Sequence, residues 1–267
     1  MSVYATGLTG TIGGFLPRSI KSINIDLASN SQEFEKLKFE KEDSIIHLGA
    51  VVGNKMVDND PDYAFNVNVR GTQLLAQVAL SQNVSKFLYI SSSHVYKSQF
   101  GKISELGVLE PTTTYGKSKL EAENALENIF LEERTRLCIL RVFSILDWNM
   151  PAFTLGGSIQ KAFQGEKINL VNGDDIRDFL TPRKVAEILF KLSTLQELPK
   201  IVNICSGDGI TVANAARAMA KTSSKEIELE VIEGFSKIPR LVGDNSLLLE
   251  TLPGIQTIWG PSECPLV

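Results

Sequence analysis

Tyr115 and Lys119 lie four residues apart in the stretch Tyr115-Gly116-Lys117-Ser118-Lys119. A phenol with a pKa of ~10 is a poor base at neutral pH. A nearby ammonium favours the phenolate, and the pair can then give a proton to, or take one from, a sugar or steroid hydroxyl. Thr112, Thr113 and Thr114 offer side-chain oxygens to a helix start, so a helix is expected from Tyr115. At helical spacing Tyr115 and Lys119 share a face, which continues through Ser118, Ala122, Ala125, Leu126 and Ile129. A lysine on that apolar stripe needs a reason, because burying an unpaired ammonium is costly. The competing reading is an exposed Lys119 on a solvated helix with Tyr115 as its cap. Taken alone the motif favours that reading; the other motifs decide against it.

Gly7-Leu8-Thr9-Gly10-Thr11-Ile12-Gly13 follows the buried run Val3-Tyr4-Ala5-Thr6. Glycines at Gly7, Gly10 and Gly13 permit a tight turn. They also let the backbone around Thr11 and Ile12 approach a pyrophosphate at a helix start. Pro17 makes that first helix unusually short, and a second strand is expected at Ile23–Leu27. Asp26 near its end can accept from both ribose hydroxyls of an adenosine and repel a 2′-phosphate, which argues for NAD over NADP; the alternative is a turn or cap aspartate. Asn30 to Asp43 shows no clear period. Ser44 to Gly53 reads as a buried strand whose end, Leu48-Gly49-Ala50, is small enough for a dinucleotide to lie across it. His47 sits mid-strand and reads as a core histidine.

Asp60-Pro61 opens a helix running to about Ser81. Asn68 falls on its apolar stripe and needs hydrogen-bond partners, as a tie to backbone or as an organiser near the lysine. Lys86–Ile90 is a strand ending in Ser91-Ser92-Ser93-His94, where hydroxyls would face the ligand crevice. His94 is either an additional acid or base or an exposed loop histidine.

At 267 residues the chain can form one large α/β unit, or such a unit with a small lobe. A net charge of −4 with no basic run argues against nucleic acid as the main partner. Cys138, Cys205 and Cys264 are scattered without metal spacing, and His47 and His94 add no ligand set, so no metal site is expected. Reduced thiols and the lack of a leader-like or membrane-length apolar segment fit a cytoplasmic protein with no membrane partner.

Together these pieces resemble the extended short-chain dehydrogenase/reductase family, the group of NAD-dependent sugar-nucleotide epimerases, dehydratases and ketoreductases. The matching residues are Gly7, Gly10 and Gly13; Asp26; His47 to Ala50; Asn68 to Thr72; Ser91 to Tyr96; and Tyr115 to Lys119. The resemblance covers about the first half of the chain. It implies a Rossmann-type, doubly wound parallel sheet over residues 1–150. Residues 151–267 would form mainly a C-terminal substrate lobe, with about 180–205 returning to the sheet. It also implies a catalytic set of Ser92, Tyr115 and Lys119, with Ser93 as the alternative serine. Lys119 would also bind the nicotinamide ribose. A homodimer is implied through a four-helix bundle of Asp60–Ser81 and Tyr115–Phe130.

Arg177 in Asp174 to Leu180 matches the segment whose arginine holds the substrate pyrophosphate, a task that suits a multidentate donor. A surface ion pair with Asp175 or Asp178 is the other reading. Ser144 stands where the family places an asparagine, next to the substrate. The dehydratases' acidic pair is replaced by Ser93-His94, which disfavours water elimination. The expected activity is reduction of a 4-keto nucleotide-sugar with NAD, NADP being possible. The alternatives are an NAD-dependent C4 epimerase, which would retain its cofactor, and a non-catalytic NAD(P)-binding sensor or scaffold.

Overall fold

Adjacent apolar pairs build the core. Strand side chains alternate between faces, so Ile45 and Ile46, Phe87 and Leu88, and Ile139 and Leu140 each point to opposite sides. A strand buried on both faces in this way needs helices on both sides. The computed structural model describes residues 1–148, 150–151, 154–222 and 227–260. In it β1 (Val3–Thr6), β2 (Lys21–Ser22), β3 (Ser44–His47), β4 (Lys86–Ser92), β5 (Leu137–Val142) and β6 (Ile201–Ile204) form a parallel sheet ordered β6-β5-β4-β3-β1-β2. Ile46, Leu88 and Leu140 pack against Val185, Ile188 and Leu192 of one helix, Pro182–Thr194. Ile45, Phe87 and Ile139 pack on the other face with Leu75 of α1 (Thr72–Ser81) and Leu126 of α2 (Thr114–Ile129). The chain runs from β1 outward to β2, then back to β3 on the other side of β1. That reversal leaves a crevice at the carboxyl ends of the strands.

Several local expectations are corrected. The second strand is the two residues Lys21–Ser22, extended by the Ile23 N–H bond to the Ala5 carbonyl at 2.8 Å, and not Ile23–Leu27. Its outward end, with charge and no partner strand beyond it, turns away before Asp26. The glycine turn opens only a single 3-10 turn, Gly13–Phe15, before Pro17. The helix from Pro61 passes through a π-helical stretch, Asn66–Gly71, before α1. Such stretches recur at functional sites, and this one carries Asn68. Asn172-Gly173 after the apolar run Ile168–Val171 is a hairpin signal in the sequence, but the segment pairs in parallel with the distant Leu229–Ile232, and Asn172 takes the left-handed turn, at φ 58°.

Beyond β5 a second set of elements has its own apolar cluster, including Trp148, Ile159, Phe179 and Met219. The helices Leu155–Ala162 and Val212–Thr222 flank it. Pro182–Thr194 and β6 belong to the main sheet. Among the described residues no helix is long and apolar enough to cross a membrane, and no three His, Cys, Asp or Glu side chains gather as a metal site. Cys138 and Cys205 are free and buried, and Cys264 lies outside the described residues.

Candidate active site

The α2 helix starts at Thr114, and Thr113 is its cap, accepting from Gly116 N at 3.0 Å. Gly116 lets the helix start lie against the turn after β4: a Cβ there would stand 2.3 Å from the His94 carbonyl oxygen. This contact sets Tyr115 beside the Ser92–His94 turn, with the His94 and Tyr115 rings edge to face at 5.8 Å. Burial pushes the Tyr115 phenol up to about 12, with the neighbouring Ser92 hydroxyl acting in the opposite direction.

Lys119 is only 3% exposed. Its Nζ donates to the Ile90 carbonyl at 2.8 Å and lies 4.8 Å from the Tyr89 ring centre. Burial pulls its pKa down to about 7, with Glu123 acting in the opposite direction. The lysine is therefore inside the fold, aimed at the end of β4, and not on a solvated helix face.

A cleft of about 600 Å³ lies over these residues. One wall carries Gly7, Gly10, Thr11, Ile12, Gly13, Leu48, Gly49 and Ala50, and the other Ser92, Ser93, His94, Tyr115, Lys119 and Ser144. The glycine wall is built for close backbone approach. Gly7 sits at φ +69°, and a Cβ on it would stand 2.9 Å from Gly49 N; a Cβ on Gly13 would stand 2.2 Å from the Gly7 oxygen. Such a backbone-lined trough leading to a buried ammonium fits a dinucleotide.

His47 ties this wall to Asn68. Thr72 Oγ1 donates to the Asn68 carbonyl at 2.8 Å, so it must accept from His47 Nε2 at 2.9 Å. Thr6 Oγ1 accepts from Gly49 N at 2.9 Å and donates to His47 Nδ1 at 2.7 Å. Burial, helped by the Lys119 charge, depresses His47 to about 3, which keeps this one-proton form. Asn68 brackets Val51, accepting from its N–H at 2.8 Å and donating to its carbonyl at 3.0 Å, and reaches Ser118 at 3.2 Å. It is thus a backbone tie beneath the cleft.

Three sequence-derived positions stand apart from the cleft lining. Asn68 is one. Asp26 is exposed beyond β2, with its Oδ1 accepting from Ala28 N at 2.9 Å. Arg177 lies on the short strand Ile176–Arg177 and pairs with Asp175 at 3.0 Å. Its charge nevertheless reaches His94, which burial first and Arg177 second depress to about 4. The His94 ring is thus neutral and half-buried at the cleft, and its Nδ1 has no hydrogen-bond partner.

Sequence reasoning passed over Glu123 and considered Asp178 only as a surface partner of Arg177. Glu123 is buried on α2 one turn past Lys119, paired with Arg141 of β5 at 2.7 Å. Asp178 is fully buried and accepts from Ser206 N at 2.7 Å, Gly207 N at 3.0 Å and Gly243 N at 3.1 Å, which locks the strand of Arg177 to the end of β6. Two acids in adjacent helical or strand positions look like surface charge in a sequence; the signal for Glu123 was its place on the buried stripe, four residues after Lys119.

The model of the NAD dependent epimerase/dehydratase family matches residues 3–205. The chain belongs to that family. It is a member of the extended short-chain dehydrogenases/reductases, and the match takes in the glycine turn, the β4 end and α2. Among curated relatives, GDP-6-deoxy-D-talose 4-dehydrogenase of Aggregatibacter actinomycetemcomitans is 27% identical over 94% of this chain and 91% of its own length. GDP-6-deoxy-D-mannose reductase of Pseudomonas aeruginosa is 25% identical over 89% and 84%. The fold matches RMD from Pseudomonas aeruginosa, solved with NADPH, at a TM-score of 0.85 and 22% identity over 98% of this chain and 96% of that one. It also matches the Thermus thermophilus UDP-glucose 4-epimerase, solved with NAD, at 0.84 and 19% identity over 97% and 95%. The family is NAD dependent, and the solved neighbours carry NAD or NADPH in this fold.

Proposed function

We propose that this protein reduces a 4-keto nucleotide-sugar with NAD(P)H. The observation that carries the reading is the meeting of Ser92, Tyr115 and Lys119 on one wall of a cleft whose other wall is the glycine turn. The curated relatives, a GDP-6-deoxy-sugar dehydrogenase and a GDP-6-deoxy-sugar reductase, support a sugar-nucleotide oxidoreductase reading across most of the chain.

When bound, the nicotinamide supplies the hydride to the keto carbon. Gly7, Gly10, Thr11, Ile12 and Gly13 would hold its pyrophosphate, Leu48 to Ala50 its flank, and Lys119 its ribose, above the strut that Asn68 provides. Tyr115 gives the proton to the substrate oxygen, Ser92 orients that oxygen, and the Lys119 ammonium lowers the cost of the phenolate left behind. The apo phenol, held near 12 by burial, needs that help once its proton has gone. Ser93, His94 and Ser144 contact the sugar, and Arg177 takes the pyrophosphate after giving up Asp175. Residues 1–150 mainly serve the cofactor, and 151–267 mainly the substrate. Asp26 sets a preference for NAD(H), and the helices of residues 61–81 and 114–129 pair two copies as a homodimer in the cytoplasm.

C4 epimerisation uses the same wall of Ser92, Tyr115 and Lys119, and the likeness to a UDP-glucose 4-epimerase keeps it as the second reading. The two differ in what becomes of the cofactor. A panel of keto- and hydroxy-sugar nucleotides, followed by nicotinamide absorbance, separates them. Net oxidation of added NADH or NADPH supports the reductase; tightly bound NAD after purification, with no net absorbance change, supports the epimerase.

A further inference from the structure

Behind the Tyr115–Lys119 pair runs a buried polar chain that the proposed proton transfer does not use. Glu123, 2% exposed, sits on α2 one turn past Lys119. Its carboxylate accepts from the Ser91 hydroxyl and from Arg141, with Nη2 at 2.7 Å and Nε at 3.1 Å. Arg141 continues to the Tyr96 hydroxyl at 2.9 Å, which donates to Asn203 Oδ1 at 2.8 Å. Ser91 stands between two other β4 residues of the cleft lining: Ile90, whose carbonyl holds the Lys119 ammonium, and Ser92. Glu123 is therefore bonded to the same short piece of strand that holds the Lys119 ammonium and carries Ser92 beside the Tyr115 phenol.

Stability alone is a weak reason for such a pair, because desolvating two charges cancels much of their attraction, and apolar replacements of similar volume are often no worse. Its position gives a better one. Around Lys119 stand Glu123 from α2, Tyr89 from β4 and His47 from β3, with Tyr115 on the same cleft wall and Arg141 of β5 behind Glu123. Glu123 is the one anion among them, since both tyrosines are held neutral by burial and His47 carries no charge.

We propose that Glu123 is a positioning residue that acts through Lys119, its carboxylate keeping the lysine in the ammonium form while the Ser91 bond holds the β4 end in register with α2. This rests on the role given to Lys119 above, but its test does not need turnover. Without the carboxylate, burial acts on the ammonium unopposed, so the lysine loses its proton at lower pH. Arg141 carries the opposite charge, so losing the carboxylate also leaves its guanidinium unopposed, which pushes the Lys119 midpoint further down; Ser91 carries no charge.

The experiment is an NMR titration of protein labelled with 13C at the lysine ε carbons, with Lys119 assigned by the signal lost in Lys119→Arg. Glu123→Gln keeps the shape and an acceptor for Ser91, and its Lys119 midpoint is expected about one pH unit or more below wild type. If the unpaired Arg141 prevents folding, Glu123→Gln/Arg141→Met is read against Arg141→Met, and its Lys119 midpoint is expected to lie below that single variant's. Ser91→Ala, which leaves the charge in place, is expected to keep the wild-type midpoint. A midpoint that stays put or rises in the Glu123 variants overturns the proposal, as does an equal shift in Ser91→Ala. A lowered midpoint in a protein that turns over no sugar nucleotide would leave this inference standing and remove the proposed function instead.

Discussion

The Lys119 ammonium donates to the Ile90 carbonyl at 2.8 Å, two residues before Ser92. One hydrogen bond thereby fixes the distance between the lysine that supports the tyrosine and the serine that orients the substrate oxygen. It joins α2 to β4 at the point where the sheet opens onto the cleft, so small changes in how α2 sits should appear as changes in rate.

Tyr115→Phe tests the proton step. The ring still packs against His94, while the hydroxyl beside Ser92 is gone. General acid–base groups contribute roughly 10²- to 10⁴-fold, so turnover should fall by at least that much with cofactor affinity nearly unchanged. A steady-state assay beside an NADH fluorescence titration measures both, and near-normal turnover would remove Tyr115 from the chemistry.

Gly116→Ala tests placement without touching a reacting group. Alanine ordinarily stabilises a helix interior over glycine by up to about 1 kcal/mol. Here its Cβ would stand 2.3 Å from the His94 carbonyl, a backbone atom, so the helix must move away. Net destabilisation of about 1–3 kcal/mol is expected. A turnover loss of about tenfold to a hundredfold should accompany it, because reacting groups tolerate little displacement. Thermal unfolding and kcat are the readouts; a more stable variant at full rate would show that this contact does not place Tyr115.

How much of this could be seen beforehand divides by range. The glycine turn, β3, β4 and α2 carry strong local signals, and the reading of Lys119 as buried came from those motifs together, since its own helix stretch alone favoured an exposed lysine. The failures are non-local. Lys21–Ser22 is an edge strand whose extent is set by what β1 offers it. Ile168–Val171 pairs with a strand some 60 residues away in the chain, and no turn signal can announce such a partner. Glu123 and Arg141 are each unremarkable as charges, and only the fold brings α2 and β5 together. The sequence placed Arg177 by motif, yet its pairing with Asp175 and its reach to His94 depend on the short sheet it joins.

Both histidines are held below the ordinary 6.5, His47 to about 3 and His94 to about 4, chiefly by burial. Their folded pKa values lie below the unfolded value, so unfolding takes up protons as pH falls through 6.5. Stability is therefore full above about pH 7 and declines toward about 4, by about 1.4 kcal/mol per pH unit for each histidine well inside that window. Urea unfolding from pH 7.5 to 5 should show this slope, and His94→Gln should remove one of the two contributions. A flat profile over that range would mean that the histidines are not buried in their neutral form.

Arg177→Ala tests the second lobe. If its guanidinium exchanges Asp175 for the substrate pyrophosphate, the loss is about 1.5–3 kcal/mol, or roughly ten- to a hundredfold in substrate affinity. Cofactor affinity should barely change, and Arg177→Lys should restore only part, because an ammonium cannot hold two phosphate oxygens in one plane. Unchanged substrate affinity would leave Arg177 as a partner of Asp175 alone.

The most direct measurement follows the hydride. The protein is given a 4-keto-6-deoxy nucleotide-sugar, GDP-linked first, with NADH or NADPH carrying deuterium at the transferable position, and the products are analysed by mass spectrometry and NMR. One deuterium is expected at the former keto carbon for each cofactor oxidised, and no transfer in Tyr115→Phe. Interconversion of C4 epimers with no deuterium gained and no net oxidation of added cofactor would overturn the reductase reading.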